Sequence, residues 1–124
     1  NNWNTSNVTN MSMMFTRAGY SASEFNIGNI GKWKTDKVTT MASMFYQAGY
    51  SGATTWFVGD LSEWNTSNVT NMYAMFRNCY SLTSMNLSGW NVCNVTDYSD
   101  FTDNGSIIQP YFGDTTKCNG GLPA

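Results

Sequence analysis

Few residues in this chain carry reactive chemistry, and their types exclude most enzymes. The 124 residues include no histidine. That removes the commonest general base and the commonest zinc ligand together. No Ser-His-Asp or Cys-His arrangement can then be assembled, and no glycine-rich loop leads into a helix with a lysine, as phosphate binding requires. Asp97, Asp100 and Asp103, with Asn104, offer oxygen ligands, but their spacing departs from the calcium-loop pattern and reads as a solvated turn. No catalytic, cofactor-binding or metal-ligating residue is expected, and no cofactor.

Three cysteines remain: Cys79, Cys93 and Cys118. Cys79 falls where earlier copies of a repeat carry Ala18 and Ala48, a small slot that suits a buried free thiol. Cys93 falls where other copies carry Ser6, Asp36 and Ser67, a polar slot near the surface. A Cys93–Cys118 disulfide pinning the tail to the last repeat is expected, although sequence alone does not fix connectivity. Such a bond implies an oxidising, extracellular or cell-surface location.

Charge is sparse. Charged residues make up 11%, the net charge is −2 and the pI is about 4.7. No basic patch exists to bind nucleic acid. No apolar run approaches the roughly 20 residues that span a bilayer, so no transmembrane segment is expected in this chain. The opening Asn1-Asn2-Trp3 shows no leader and reads as a processed or cut-out start.

These residues sit in a repeat. Trp64 to Phe76 reads W-N-T-S-N-V-T-N-M-Y-A-M-F, and versions of it begin at Trp3, Trp33 and Trp90, spaced 30, 31 and 26 residues apart. A period in this range marks stacked supersecondary units. Val8, Met11, Met14 and Phe15, with their counterparts Val38, Met41, Met44, Phe45 and Val69, Met72, Met75, Phe76, recur at spacings of 3, 3 and 1. That spacing predicts one face of a short helix over 8–16, 38–46 and 69–77, with a weaker one over 95–101. The preceding Thr and Ser residues, among them Thr5, Thr35 and Thr66, are expected as N-caps, and Gly19 and Gly49 as C-terminal stops. The methionines and tryptophans read as core. The stretch Leu82 to Leu87 predicts a very short strand, with counterparts at Phe25/Ile27/Ile30 and Trp56/Val58/Leu61. The expected fold is an α/β solenoid of the leucine-rich-repeat kind, with one short strand and one short helix per 26–31 residue repeat. Residues 1–102 form about three and a half repeats, and 103–124 a non-repeating cap and tail ending in a linker-like Gly120-Gly121-Leu122-Pro123-Ala124.

Residues Trp64 to Trp90 read W-N-T-S-N-V-T-N-M-Y-A-M-F-R-N-C-Y-S-L-T-S-M-N-L-S-G-W. This motif resembles that of the BspA-like leucine-rich-repeat bacterial surface proteins, and the likeness covers roughly residues 3–102. The resemblance implies surface display and, for some members, adhesion. It supplies no shared catalytic residue. The function expected is a non-catalytic extracellular module that binds a protein or glycan at the cell surface. The alternative is a structural subunit, or further copies of itself, stacking head to tail into an extracellular fibre through an uncovered first repeat. The candidate ligand-facing residues lie between the apolar strand positions: Asn26, Asn29, Asp60, Thr83, Ser84 and Asn86. Tyr20, Tyr50 and Tyr80 follow each Met/Phe segment and add aromatic candidates. The N-x-Ser/Thr triplets read as by-products of Asn-rich turns.

Overall fold

The computed structural model describes residues 3–122, so the outermost residues of the expected repeat and tail units, 1–2 and 123–124, lie outside the described residues. Four short strands are present: β1 Glu24–Asn26, β2 Thr55–Phe57, β3 Met85–Asn86 and β4 Ile107–Ile108. They form two parallel pairs, β1 with β2 and β3 with β4.

The expected leucine-rich-repeat architecture, an α/β solenoid, is not what forms. Among the described residues there is no helix. Where helices were expected, the chain runs as a series of turns. In the second repeat the N–H groups of Met44, Tyr46 and Ala48 donate to the carbonyls of Met41, Ser43 and Phe45 at 3.2, 3.2 and 2.9 Å. These are three-residue turns, whereas an α-helix bonds four residues back. The intervening N–H groups of Met41, Ser43, Phe45 and Gln47 leave the segment altogether. They donate to Asn71, Tyr73, Met75 and Arg77 of the next repeat at 2.7 to 2.9 Å.

This division is possible because selected residues are left-handed. Met13, Ser43, Ala74 and Asp100 occupy one register position with φ of 57°, 56°, 52° and 55°, and Arg17, Gln47 and Asn78 occupy another with φ of 59°, 58° and 61°. A left-handed L-residue costs about 1–2 kcal/mol, and a right-handed helix cannot contain one. Each such residue redirects alternate N–H groups sideways, and the resulting cross-repeat bonds and burial offset its cost.

The same turns recur in register. Parallel bridges join Asn10 to Thr40, Thr40 to Asn71, and Asn71 to Asp97. Met41, Met44, Phe45 and Ala48 are all fully buried, as are Met72, Met75, Phe76 and Cys79. The turn series thus returns the same side chains to the core that a helix would have. Phe15, Phe45, Phe76, Phe101 and Phe112 form a column with successive ring centroids 5.6, 5.2, 5.5 and 4.9 Å apart. The indole N–H groups of Trp64 and Trp90 donate to the carbonyls of Ile30 and Leu61, 34 and 29 residues earlier, at 3.0 and 2.8 Å. Such rings supply both apolar area and a satisfied polar tip.

Thr5, Thr35 and Thr66 are buried and cap no helix. Their hydroxyls donate across repeats to the carbonyls of Lys34, Asn65 and Asn91 at 2.9, 2.9 and 2.8 Å. The tail adds a layer of its own. β4 pairs with β3, the Val92 N–H donates to Cys118, and Cys93 is disulfide-bonded to Cys118. Cys79 is a free, buried thiol, and burial pushes its pKa to about 12.

Candidate functional site

The loops that follow the strands are built from one local device. An Asn or Asp side chain accepts the N–H two residues on, which holds a tight turn. Asn26 accepts from Gly28, Asn29 from Gly31, Asp60 from Ser62 and Asn86 from Ser88, at 2.9, 2.8, 2.9 and 3.0 Å. Four of the candidate ligand-facing residues therefore spend one oxygen on their own backbone. What they still present to solvent is the amide Nδ2 of Asn26, Asn29 and Asn86 and the second carboxylate oxygen of Asp60.

Packing of successive repeats brings three of them together. Asp60, Ser62, Glu63, Asn86, Ser88 and Gly89 line an open crease of about 540 Å³ between two repeats. A smaller crease of about 100 Å³ lies between Asn29, Gly31, Lys32, Asp60 and Glu63. Asp60 and Glu63 line both, so a polar path crosses from Asn29 to Asn86. Gly31 is needed here, since a Cβ on it would lie 2.1 Å from the Asp60 carbonyl oxygen. The Ser62 hydroxyl, then its N–H, then the weaker attraction of Lys32 hold the Asp60 carboxyl below its ordinary value, against a small desolvation effect.

Asn26, Thr83 and Ser84 are exposed but do not line this path. Tyr20, Tyr50 and Tyr80 form a separate column. Tyr20 stacks on Tyr50 at 4.8 Å, Tyr50 meets Tyr80 at 5.4 Å, and Arg17 lies 4.2 Å from the Tyr20 ring. The Tyr20 and Tyr50 faces are thereby engaged within the protein. At the far end the Tyr80 hydroxyl donates to Asp103, which also accepts from the Asn78 N–H and amide. Partial desolvation and the Asp103 carboxylate push the Tyr80 pKa up. For Asp103, desolvation acts upward but the Asn78 N–H and Tyr80 hydroxyl outweigh it, and its pKa is lowered.

Sequence reasoning passed over two exposed apolar residues on the strands. Phe57 is 44% and Ile108 56% exposed. Phe57 pairs with Asn26, and Ile108 with Asn86. The alternation that turns Trp56 and Val58 toward the core points Phe57 outward, so a stricter period-two reading finds it. Ile108 was not recoverable that way, because β4 lies in the tail, outside the repeat.

Over residues 1–53 and 20–111 the chain matches the family described as "Mycoplasma protein of unknown function, DUF285". The chain belongs to this family. The two matched segments overlap and take in all four tryptophans that begin repeats, so the family pattern and the layered core coincide. Comparison with curated proteins and with solved structures returns no match. Among the described residues no group of His, Cys, Asp or Glu is placed to hold a metal ion, and no helix is long and apolar enough to cross a membrane.

Proposed function

We propose that this protein is a non-catalytic binding module for a macromolecular ligand, which it engages on its strand side. The observation that carries the reading is the exposure of Phe57 and Ile108 on the outward strand row, next to Asn26 and Asn86 and beside the Asp60–Asn86 crease. Isolated exposed apolar residues are ordinary. Two on equivalent positions of the two strand pairs, each next to an asparagine and near a polar crease, offer apolar contacts among polar neighbours, as protein-recognition surfaces do. A protein ligand is favoured over a glycan, since Tyr20 and Tyr50 keep their ring faces engaged within the column. The resemblance to BspA-like surface proteins supports display outside the cytosol, and so does a disulfide at a solvent-exposed Cys93.

Arrays of extracellular proteins and of glycans, probed with the intact chain, test this reading. Retention on a protein, weakened at least tenfold by Phe57→Ser or Ile108→Ser, is the expected result. Silence on both arrays, or binding unaffected by either substitution, would overturn it.

A further inference from the structure

The Met/Phe turns carry a second concavity, on residues that the strand-side reading does not use. Ser43 and Tyr46 of the second repeat and Tyr73, Ala74 and Arg77 of the third line a cleft of about 170 Å³. Cross-repeat bonds set its two walls side by side. The Ser43 N–H donates to the Tyr73 carbonyl at 2.7 Å and the Gln47 N–H to the Arg77 carbonyl at 2.9 Å. Ala74 is buried and Tyr73 is exposed. The side chains around the cleft are unspent. Arg77 donates no hydrogen bond among the described residues, and its ion-pair contact is Asp100, 3.5 Å from Nη1. The hydroxyls of Ser43, Tyr46 and Tyr73 have no hydrogen-bond partner among the described residues, and neither tyrosine ring meets another aromatic ring there. The backbone donors, by contrast, are all used. The Tyr73 N–H donates to the Asn71 side chain, and those of Ser43, Tyr46, Ala74 and Arg77 donate to carbonyls. The cleft therefore recognises a ligand through side chains. An extended peptide, which is read by main-chain bonds, finds no main-chain donor in it.

The set of groups occurs at one junction. The positions of Tyr73, Ala74 and Arg77 hold Ser12, Met13 and Thr16 in the first repeat, Ala42, Ser43 and Tyr46 in the second, and Ser99, Asp100 and Asp103 in the fourth. The second repeat followed by the third puts two tyrosines and an arginine around one cleft. A guanidinium offers paired N–H groups that fit a carboxylate. One arginine beside Asp100 leaves no surplus positive charge for a phosphate dianion. Three hydroxyls, each donor and acceptor, match a ligand that carries hydroxyls of its own. The tyrosine faces take the apolar face of a ring. The volume lies below the roughly 300–1,000 Å³ of sites for drug-sized ligands and suits a single ring.

We propose that this cleft binds one carboxylate-bearing sugar residue of a glycan, a uronic or a sialic acid. Arg77 holds the carboxylate, Tyr46 and Tyr73 flank the sugar ring, and the Ser43 hydroxyl bonds to the ring's hydroxyls. The proposal stands apart from the strand-side reading, which substitutions at Phe57 and Ile108 test.

Isothermal titration of the intact chain with oligogalacturonate and with sialyllactose separates the two sources. Methyl-esterified oligogalacturonate and lactose are the uncharged counterparts, and acetate supplies the carboxylate alone. Saturable binding of either acidic sugar is expected, with its uncharged counterpart and acetate much weaker. Arg77→Gln is expected to weaken that binding about tenfold or more, through loss of charge-assisted bonds. Arg77→Lys keeps the charge without the fork and is expected to weaken it several-fold. Tyr73→Ala is expected to weaken it several-fold as well. The Arg77 side chain is 43% exposed, so its replacement leaves the core intact, and near-ultraviolet circular dichroism checks each variant for folding. Absence of binding by both acidic sugars would overturn the proposal. So would acetate or an acidic peptide binding as tightly as the sugars, or a folded Arg77→Lys chain that binds them as the intact chain does.

Discussion

Met14 and Met44 occupy the same position in successive repeats, in the same kind of turn. Met44 is fully buried, while Met14 is 38% exposed. Phe15 and Phe45 differ in the same direction, the first partly and the second fully buried. Neither residue type nor local conformation accounts for the contrast. Met44 lies between two layers, whereas Met14 has one described layer beside it. At the opposite end Phe101 is only 3% exposed, because Phe112 of the tail covers it. A repeat of this kind makes half of a core, and each neighbouring layer supplies the other half. The tail does at one end what a further repeat does in the middle.

Substitution along the phenylalanine column sharpens this contrast most strongly. Phe76→Ala removes a fully buried ring that stacks on Phe45 and abuts Phe101. It is expected to cost about 3–5 kcal/mol in urea unfolding. Phe15→Ala, at the exposed end, should cost less than half as much. Equal losses would mean that the layers do not differ as described. Next in size is the cross-link at the covered end. Cys93→Ser with Cys118→Ser opens a loop whose ends are 25 residues apart and is expected to cost about 3 kcal/mol. Hydrogen exchange should then rise first at Ile107 and Ile108 and last in the second repeat. The cross-repeat threonines come third. Thr66→Val keeps the shape and strands the Asn91 carbonyl, a loss of about 1–2 kcal/mol.

Two smaller effects probe the turns and the surface network. In a helix Ala74→Gly would cost about 1 kcal/mol. At φ of 52° the Cβ penalty and the glycine entropy oppose each other, so the expected change is near zero or a slight gain in Tm. A full helical penalty would contradict the left-handed assignment. The pH effect is the smallest, because Asp103 is exposed. Its folded-state pKa lies below the ordinary 3.8, so its contribution to stability is present above that pH and is lost as pH falls through the folded value. The Tm of the intact chain should therefore drop more between pH 7 and pH 3 than that of Asp103→Asn. Parallel curves would remove the network's role.

The candidate site was only partly legible in the sequence. Asn29, Asp60 and Asn86 were identified as outward-facing, and they do share a polar path. Their neighbours Glu63 and Ser88 were not identified, because what joins them is the packing of one repeat on the next. The aromatic candidates were found as residues but not as a column, since stacking Tyr20 on Tyr50 depends on cross-repeat register.

Some things are determined by the chain alone. The tryptophan spacing sets the layers, the Val/Met/Phe positions set which side chains enter the core, and the Asn-x-Ser and Asp-x-Ser pairs set the tight turns. The tertiary structure decided that the Met/Phe segments are turns and not helices. The left-handed positions hold Met13, Ser43, Ala74 and Asp100, none of them the glycine that would announce such a conformation. Nothing local favours those dihedrals in Met13, Ser43 or Ala74; only Asp100 is of a type that tolerates them. At Met13, Ser43 and Ala74 they are held by hydrogen bonds to layers 25 to 30 residues away, which no window of sequence contains.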